Sequence, residues 1–140
     1  MRALLDTCTL SEVRKTEGIP AVKECVSQFR DDDLFISAIS MGEIVKGISL
    51  LESGKKKKSL TSWLRQLETA FGDRILPVDL ETAHIWGELT ARAQSKGIVI
   101  PDSDGLVAAT GLRHGLHVIT RNARHFEATG ALTIDPWENR

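Results

Sequence analysis

Three acidic residues and one amide stand where short apolar runs give way to polar residues or where a helix is predicted to begin. Asp6 directly follows an apolar run, Asn122 lies shortly after another, and Glu43 and Asp104 fall near the starts of two predicted helices. Because the carboxyl ends of parallel strands meet at one edge of a sheet, we expect these four residues to converge there. Neighbouring carboxylates repel one another unless a cation neutralises them. Oxygen ligands favour Mg²⁺ or Mn²⁺, so the sequence predicts a divalent metal site.

The same acids also have a structural interpretation as helix caps. Ser40-Met41-Gly42-Glu43 has the pattern of a capping box, and Asp6 could cap the helix that follows it. Asp104 would complement a helix dipole. Asp102, beside Pro101, could also approach the ion, but its position favours a cap. Asp6 is the least explained by structure alone, because a carboxylate beside a buried strand costs several kcal/mol unless it is paired or solvated.

The elements that must position these residues alternate along the chain. Apolar runs predict strands at residues 3–5, 34–37, 75–78, 118–120 and 132–134. Helical patterns cover residues 20–29, 40 to about 51, 60–71, 79 to about 96, and 102–114, the last ended by Gly115. Residues 53–59, which include four consecutive lysines, are interpreted as a solvated junction between helices. This order predicts an α/β protein, a three-layer sandwich whose mainly parallel central sheet of about five strands is flanked by helices.

Composition sets wider limits on the function. A chain of 140 residues with 41% hydrophobic residues predicts one domain covering residues 1–140. The formal net charge of -1 gives no overall attraction to nucleic acid or anionic lipid, so such binding would need a local patch. Two cysteines without a paired spacing favour a reducing compartment. No apolar run is long enough for a membrane span or a signal sequence, and we expect a cytoplasmic protein.

Three stretches carry a family resemblance. "LLDTCTLSE", "SAISMGEIVKGI" and "IPDSDGLVAATGLRHGLHVITRNARHF" resemble, in order and spacing, the signature blocks of PIN-domain ribonucleases, particularly the VapC toxins of bacterial toxin-antitoxin pairs. The resemblance extends from residue 1 to about residue 136. It implies a PIN-like fold, Mg²⁺- or Mn²⁺-dependent endonucleolytic cleavage of RNA, a homodimer, and inhibition by a small cognate VapB-like antitoxin.

The resemblance also assigns roles to residues. Asp6, Glu43 and Asp104 would be the metal-binding acids, and Asn122 would stand at a fourth catalytic position where many relatives have an acid. The sequence departs from the family at Cys8, where asparagine is usual, and at His125, where an acid commonly precedes the phenylalanine. A neutral or cationic side chain at this fourth position predicts one firmly held metal ion rather than two.

The predicted mechanism is hydrolysis of a phosphodiester bond by a metal-activated water. One of the acids could accept the proton of the water, and Thr7 or Thr120 could orient water or phosphate by hydroxyl contact. Arg121, Lys46 and Arg14 are the candidate contacts to RNA phosphates. The lysines of residues 55–58 could also touch RNA, although such a run is more typical of a solvated surface.

Two functions from other classes remain alternatives. A haloacid-dehalogenase-like phosphatase also begins with a strand that ends in aspartate, but Cys8 replaces its second aspartate and no lysine ends a later strand. A non-enzymatic receiver-like signalling domain would use Asp79 as phospho-acceptor, yet it needs an acid pair after the first strand. Cleavage of RNA that EDTA abolishes would favour the nuclease, whereas phosphorylation of Asp79 by acetyl phosphate would favour the receiver.

Overall fold

Short strands with apolar side chains on both faces form the centre of the molecule. A computed structural model of the chain describes residues 1–138. Its strands are β1 (Ala3–Leu5), β2 (Leu34–Ser37), β3 (Ile75–Leu76), β4 (His117–Ile119) and β5 (Thr133–Ile134). They form one sheet in the order β3-β2-β1-β4-β5, and every neighbouring pair is parallel. The predicted α/β fold with a mainly parallel sheet of about five strands is confirmed.

Seven α-helices of the described chain cover the sheet. They are α1 (Thr7–Arg14), α2 (Pro20–Ser27), α3 (Ala38–Ser49), α4 (Lys55–Phe71), α5 (Leu80–Ser95), α6 (Asp102–His114) and α7 (Ala123–Phe126). Short 3-10 turns lie at Asp31–Asp33, Gly72–Arg74 and Glu127–Thr129. Within residues 1–138, none of these helices combines the length and the apolar character that crossing a bilayer requires.

Alternating side chains of the strands supply two separate apolar cores, one on each face of the sheet. Leu4 and Val118 point to the face covered by α5 and α6, where they pack with Leu89 and Val107. Ala3, Leu5 and Ile119, together with residues of β2, point to the other face and pack against α1, α3 and α4. Because successive side chains of a strand face opposite ways, three short strands can serve both layers. The three-layer arrangement follows directly.

The register of the central strands brings distant residues to one edge of the sheet. Leu5 of β1 pairs with Ile119 of β4, and Leu4 pairs with Phe35 of β2. The next residues, Asp6 and Thr120, therefore leave the sheet side by side. The Asp6 N–H continues the ladder by donating to the carbonyl of Ile119 at 3.1 Å.

Local signals placed two helices accurately. Asp79 caps α5, where its side chain accepts a hydrogen bond from the Thr82 N–H. Helix α6 has the predicted bounds, and Gly115 ends it in the left-handed conformation with φ of 67°, which glycine adopts without steric cost.

Other local predictions were wrong. Helix α3 begins at Ala38 with Ser37 as its cap, so Ser40 lies inside the helix and Glu43 lies in the second turn rather than in a capping box. The lysines of residues 55–58 form the first turn of α4 and are not a junction. Asp102 does not cap α6, because Pro101 holds the cap position and no side chain caps that end. The sequence also gave no sign of α7, and β3 and β5 are shorter than predicted.

Candidate active site

Asp6 is a buried carboxylate held by donors from both ends of the chain. Asp6 is only 6% exposed to solvent. The Thr7 N–H donates to Oδ1 at 2.8 Å, so Asp6 caps α1 as well. The Thr120 hydroxyl donates to Oδ2 at 2.8 Å, and the Cys8 thiol lies 3.7 Å from the same oxygen. These donors fix the orientation of the carboxylate at the edge of the sheet.

The environment of Asp6 disfavours its charged form. Burial is the largest influence and raises the pKa of the Asp6 carboxyl, and the nearby charge of Asp104 raises it further. Hydrogen bonds from Thr120, Thr7 and Cys8 act in the opposite direction but do not cancel the effect of burial. Ionisation of Asp6 is therefore less favourable in the folded chain than in water.

Glu43 joins this group through Thr7. The Thr7 hydroxyl donates to Glu43 Oε1 at 2.8 Å, while the N–H of the same residue donates to Asp6. Thr7 therefore bridges the two acids, one on the loop after β1 and one on α3. Glu43 itself is exposed, so its carboxylate can be reached from solvent.

Asp104 completes the group from the first turn of α6. His125 Nδ1 lies 3.1 Å from Asp104 Oδ2, and the two side chains are 54% and 19% exposed. His125 belongs to α7, which the sequence did not reveal, so this contact was missed. The departure from the family pattern at His125 was the available signal, because it put an imidazole where relatives commonly have an acid.

Cys8 ties the Asp6 side chain to the loop after β4. Its sulfur accepts the Arg121 N–H at 3.4 Å and lies 3.7 Å from the Thr120 hydroxyl oxygen. That hydroxyl oxygen in turn accepts the Asn122 N–H at 3.0 Å. Burial, followed by the charge of Asp6, raises the pKa of the Cys8 thiol. Asn122 thus lies beside the acids through its backbone, as the N-cap residue of α7.

The donor set has the chemistry of a divalent metal site but is not assembled around one point. Three carboxylates from three elements share one edge, and oxygen donors suit Mg²⁺ or Mn²⁺. In residues 1–138, however, no three Asp, Glu, His or Cys side chains are grouped so that they could hold an ion as they stand. Glu43 is hydrogen-bonded to Thr7 and Asp104 to His125, and a shared ion would have to replace those contacts.

The predicted cationic contacts occupy different surroundings. Arg121 is exposed directly after Thr120, and Lys46 is exposed one helical turn after Glu43. Arg14 lies in the last turn of α1, with its guanidinium 5.5 Å from the centre of a Trp63 ring. Arg121 and Lys46 are thus free to meet an anion near the acids, whereas Arg14 is stacked on an aromatic side chain.

Comparison with known proteins identifies the family. The PIN domain family matches residues 3–132. The chain belongs to the PIN domain family. It is similar to the VapC ribonuclease Y4jK of Sinorhizobium fredii, with 35% identity over 136 residues that cover 96% of this chain and 97% of the relative. It is also similar to the toxin FitB of Neisseria gonorrhoeae, with 34% identity over 137 residues, covering 97% and 99% of the two chains.

A solved structure supports the same PIN fold. FitAcB from Neisseria gonorrhoeae superposes with a TM-score of 0.90 at 34% identity, covering 96% of this chain and 98% of the other. Membership of the PIN family rules out the phosphatase and receiver alternatives. Asp79 supports this conclusion, because its Oδ1 accepts hydrogen bonds from the N–H and the hydroxyl of Thr82, at 2.8 and 2.7 Å, as a helix cap does.

Proposed function

We propose that this PIN-domain protein is a metal-dependent endoribonuclease that acts as the toxin of a VapBC-type toxin-antitoxin pair. The observation that carries the proposal is the Asp6 carboxylate, buried and held by Thr7 and Thr120 at the edge where Glu43 and Asp104 also lie. Similarity to a VapC ribonuclease and to the toxin FitB over nearly the whole chain supports it.

The proposed cofactor is Mg²⁺, with Mn²⁺ as a substitute, held by Asp6, Glu43 and Asp104. When bound, such an ion lowers the pKa of a coordinated water and neutralises charge that develops on the phosphate. Asp6 supplies a carboxylate whose position is fixed before binding, which lowers the entropy lost when the site is assembled. Because burial disfavours its charge, Asp6 gains more from a cation than an exposed acid would.

The remaining residues have proposed roles in orienting the reaction. One of the three acids accepts a proton from the attacking water, and the carboxylate of Glu43 is the one most exposed to solvent. The hydroxyls of Thr7 and Thr120, which donate to Glu43 and Asp6, orient the acids. Asn122, whose N–H donates to the Thr120 hydroxyl, orients the phosphate. Arg121 and Lys46 contact RNA phosphates beside the acids. Arg14 is a weaker candidate for that role because it is stacked on Trp63.

Incubation of the purified chain with labelled RNA tests the proposal. We expect cleavage with Mg²⁺ or Mn²⁺, none with EDTA, and none in Asp6→Asn, whose side chain keeps the size but loses the charge. Glu88→Gln is a matched control, since it removes an exposed acid of α5 outside the site. Intact RNA with the wild-type chain and either metal, or equal cleavage by Asp6→Asn, would contradict the proposal.

The resemblance also implies partners. We propose a small VapB-like antitoxin as inhibitor, a homodimer as the assembled form, and a cytoplasmic location, which the free thiols of Cys8 and Cys25 suit. The exposed apolar side chains of Ile98 and Val99 support an interface on the loop before α6. Light scattering on the purified chain measures the dimer directly, and growth arrest relieved by co-expression of the antitoxin tests the pair.

A further inference from the structure

A groove lies beside α4, on residues that the proposed active site does not use. It encloses about 430 Å³ and is lined by side chains of Ser53, Lys57, Lys58, Thr61, Ser62 and Arg65. Apart from the half-buried Lys57 and Thr61, these residues are exposed. The lining residues therefore carry three cations and three hydroxyl groups, although most of the surface that they present to the groove is hydrocarbon. The Thr61 hydroxyl donates to the carbonyl of Lys57 at 2.7 Å.

The first three turns of α4, which line most of this groove, carry only positive charge. The whole chain has a formal net charge of -1, yet residues 55–65 contain four lysines, one arginine and no acid. Across residues 1–138, none of these five cations takes part in an ion pair. Lys57 instead donates to the carbonyl of Leu51 at 3.1 Å. Uncompensated positive charge on a nearly neutral protein forms a local patch that attracts a polyanion.

The spacing of the lining residues places cations and hydroxyls side by side. Lys58, Ser62 and Arg65 follow one another at intervals of four and three residues, which brings them onto one face of α4. Lysine, arginine, serine and threonine side chains are the groups that proteins use to contact phosphate oxygens. The exposed face of α4 beside the groove thus carries the groups of a phosphate-contact surface.

We propose that this groove binds the sugar-phosphate backbone of the RNA substrate, beyond the phosphate that is cleaved. The inference rests on the proposed ribonuclease function. Helix α3 leads from Glu43 to the groove, and Leu50 lies about 10 Å along its axis from Glu43. The sites that OB folds offer to single-stranded nucleic acid span about 4–16 nucleotides, so a bound strand extends well beyond the phosphate that is cleaved.

Binding of a labelled single-stranded RNA, followed by fluorescence anisotropy in EDTA at several salt concentrations, tests the groove. We compare Lys58→Gln/Arg65→Gln with Lys55→Gln/Lys56→Gln, which removes the same charge from the same helix outside the groove lining. The groove variant should bind about tenfold more weakly. Its plot of log affinity against log salt concentration should be less steep by about 1.4, which is about 0.7 for each phosphate contact removed. The control variant should change affinity by less than about threefold.

The outcomes separate this inference from the proposed function. If the wild-type chain cleaves RNA with Mg²⁺ but both double variants bind equally well, the groove is not an RNA contact and the ribonuclease stands. If the wild-type chain neither binds nor cleaves RNA, the proposed function fails and the groove assignment with it. If the groove variant loses affinity for a poly-glutamate peptide while RNA binding is unchanged, an acidic protein segment replaces RNA as the ligand and the proposal is overturned.

Discussion

The Thr120 hydroxyl donates to Asp6 Oδ2 at 2.8 Å although 114 residues separate the two in sequence. The contact exists because β1 and β4 are parallel neighbours, so both residues leave the sheet at the same edge. Because the donor directly follows a second strand, the position of the Asp6 carboxylate depends on the pairing of β1 with β4 as well as on its own loop.

Thr120→Val should therefore weaken the proposed activity without removing any acid. Valine has the shape of threonine but cannot donate to Asp6, so the pKa of the Asp6 carboxyl should rise further. A lost hydrogen bond to a charged group is worth about 1.5–3 kcal/mol, and we expect at least about a tenfold slower RNA cleavage at neutral pH. The rate should recover as the pH rises. Thr120→Ser, which keeps the hydroxyl, is the control, and a valine variant with the wild-type pH profile would refute the role of this bond.

The fold and the site differ in how far sequence alone predicted them. The caps of α5 and α6 were predicted because Asp79 and Gly115 each act within one turn of the chain. Asp6 was singled out as a candidate site residue because it ends an apolar run. Ser40 was predicted to be the cap of α3 because Ser40 and Glu43 have the spacing of a capping box, but the helix begins one turn earlier, at the cap residue Ser37. Ser40 is buried inside α3, and in the described part of the chain its hydroxyl lacks a hydrogen-bond partner.

The contacts of Cys8 and His125 could not be predicted for a different physical reason. Cys8 touches the loop after β4 only because the sheet places that loop beside β1. The contact of His125 with Asp104 depends on α7, whose four residues are too few for a helical periodicity to be visible. Long-range neighbours of this kind follow from strand order, which the sequence pattern left open.

Asp6→Asn should stabilise the chain at alkaline pH. In the folded chain the pKa of the Asp6 carboxyl lies above its ordinary value of 3.8, so the free energy of unfolding falls as the pH rises through the folded pKa. Asparagine cannot ionise, so the free energy of unfolding of the variant does not fall for this reason. In EDTA at pH 8 we expect an unfolding temperature about 2–4 °C higher than the wild type, which corresponds to about 1 kcal/mol for a chain of this size.

The same comparison at low pH supplies the control. Below pH 3.8 Asp6 is protonated in both the folded and the unfolded chain, so the advantage of Asp6→Asn should disappear. Calorimetry at several pH values measures the difference in unfolding temperature between the variant and the wild type. A variant that is less stable than the wild type at pH 8 would show that the buried charge is fully compensated.

Alkylation of Cys8 should depend on Asp6. The charge of Asp6 contributes to the raised pKa of the Cys8 thiol, so Asp6→Asn should increase the thiolate fraction and speed the reaction with iodoacetamide several-fold at pH 8. Cys25 is an internal control, because only burial raises the pKa of its thiol and its rate should not change. Mass spectrometry resolves the two sites. Equal acceleration at both cysteines would indicate general loosening of the fold instead.

Two helical glycines should respond oppositely to alanine. A Cβ at Gly105 would lie 3.0 Å from Trp86 Nε1, whereas a Cβ at Gly87 would meet no atom within 4 Å. Gly105→Ala should destabilise the chain by about 1–3 kcal/mol through overpacking of α5 against α6. Gly87→Ala should stabilise it by about 0.5–1 kcal/mol, since alanine has the higher helix propensity. Urea denaturation measures both, and a neutral Gly105→Ala would show that Trp86 moves freely.

A calorimetric titration of the chain with Mn²⁺ tests most directly whether Asp6, Glu43 and Asp104 share one ion. We expect one ion bound per chain in the wild type. Asp6→Asn, Glu43→Gln and Asp104→Asn should each weaken binding at least about tenfold, because each removes a charged oxygen ligand, while Glu88→Gln should bind as the wild type does. Wild-type affinity in all three site variants, or no Mn²⁺ binding by the wild-type chain, would contradict the shared metal site.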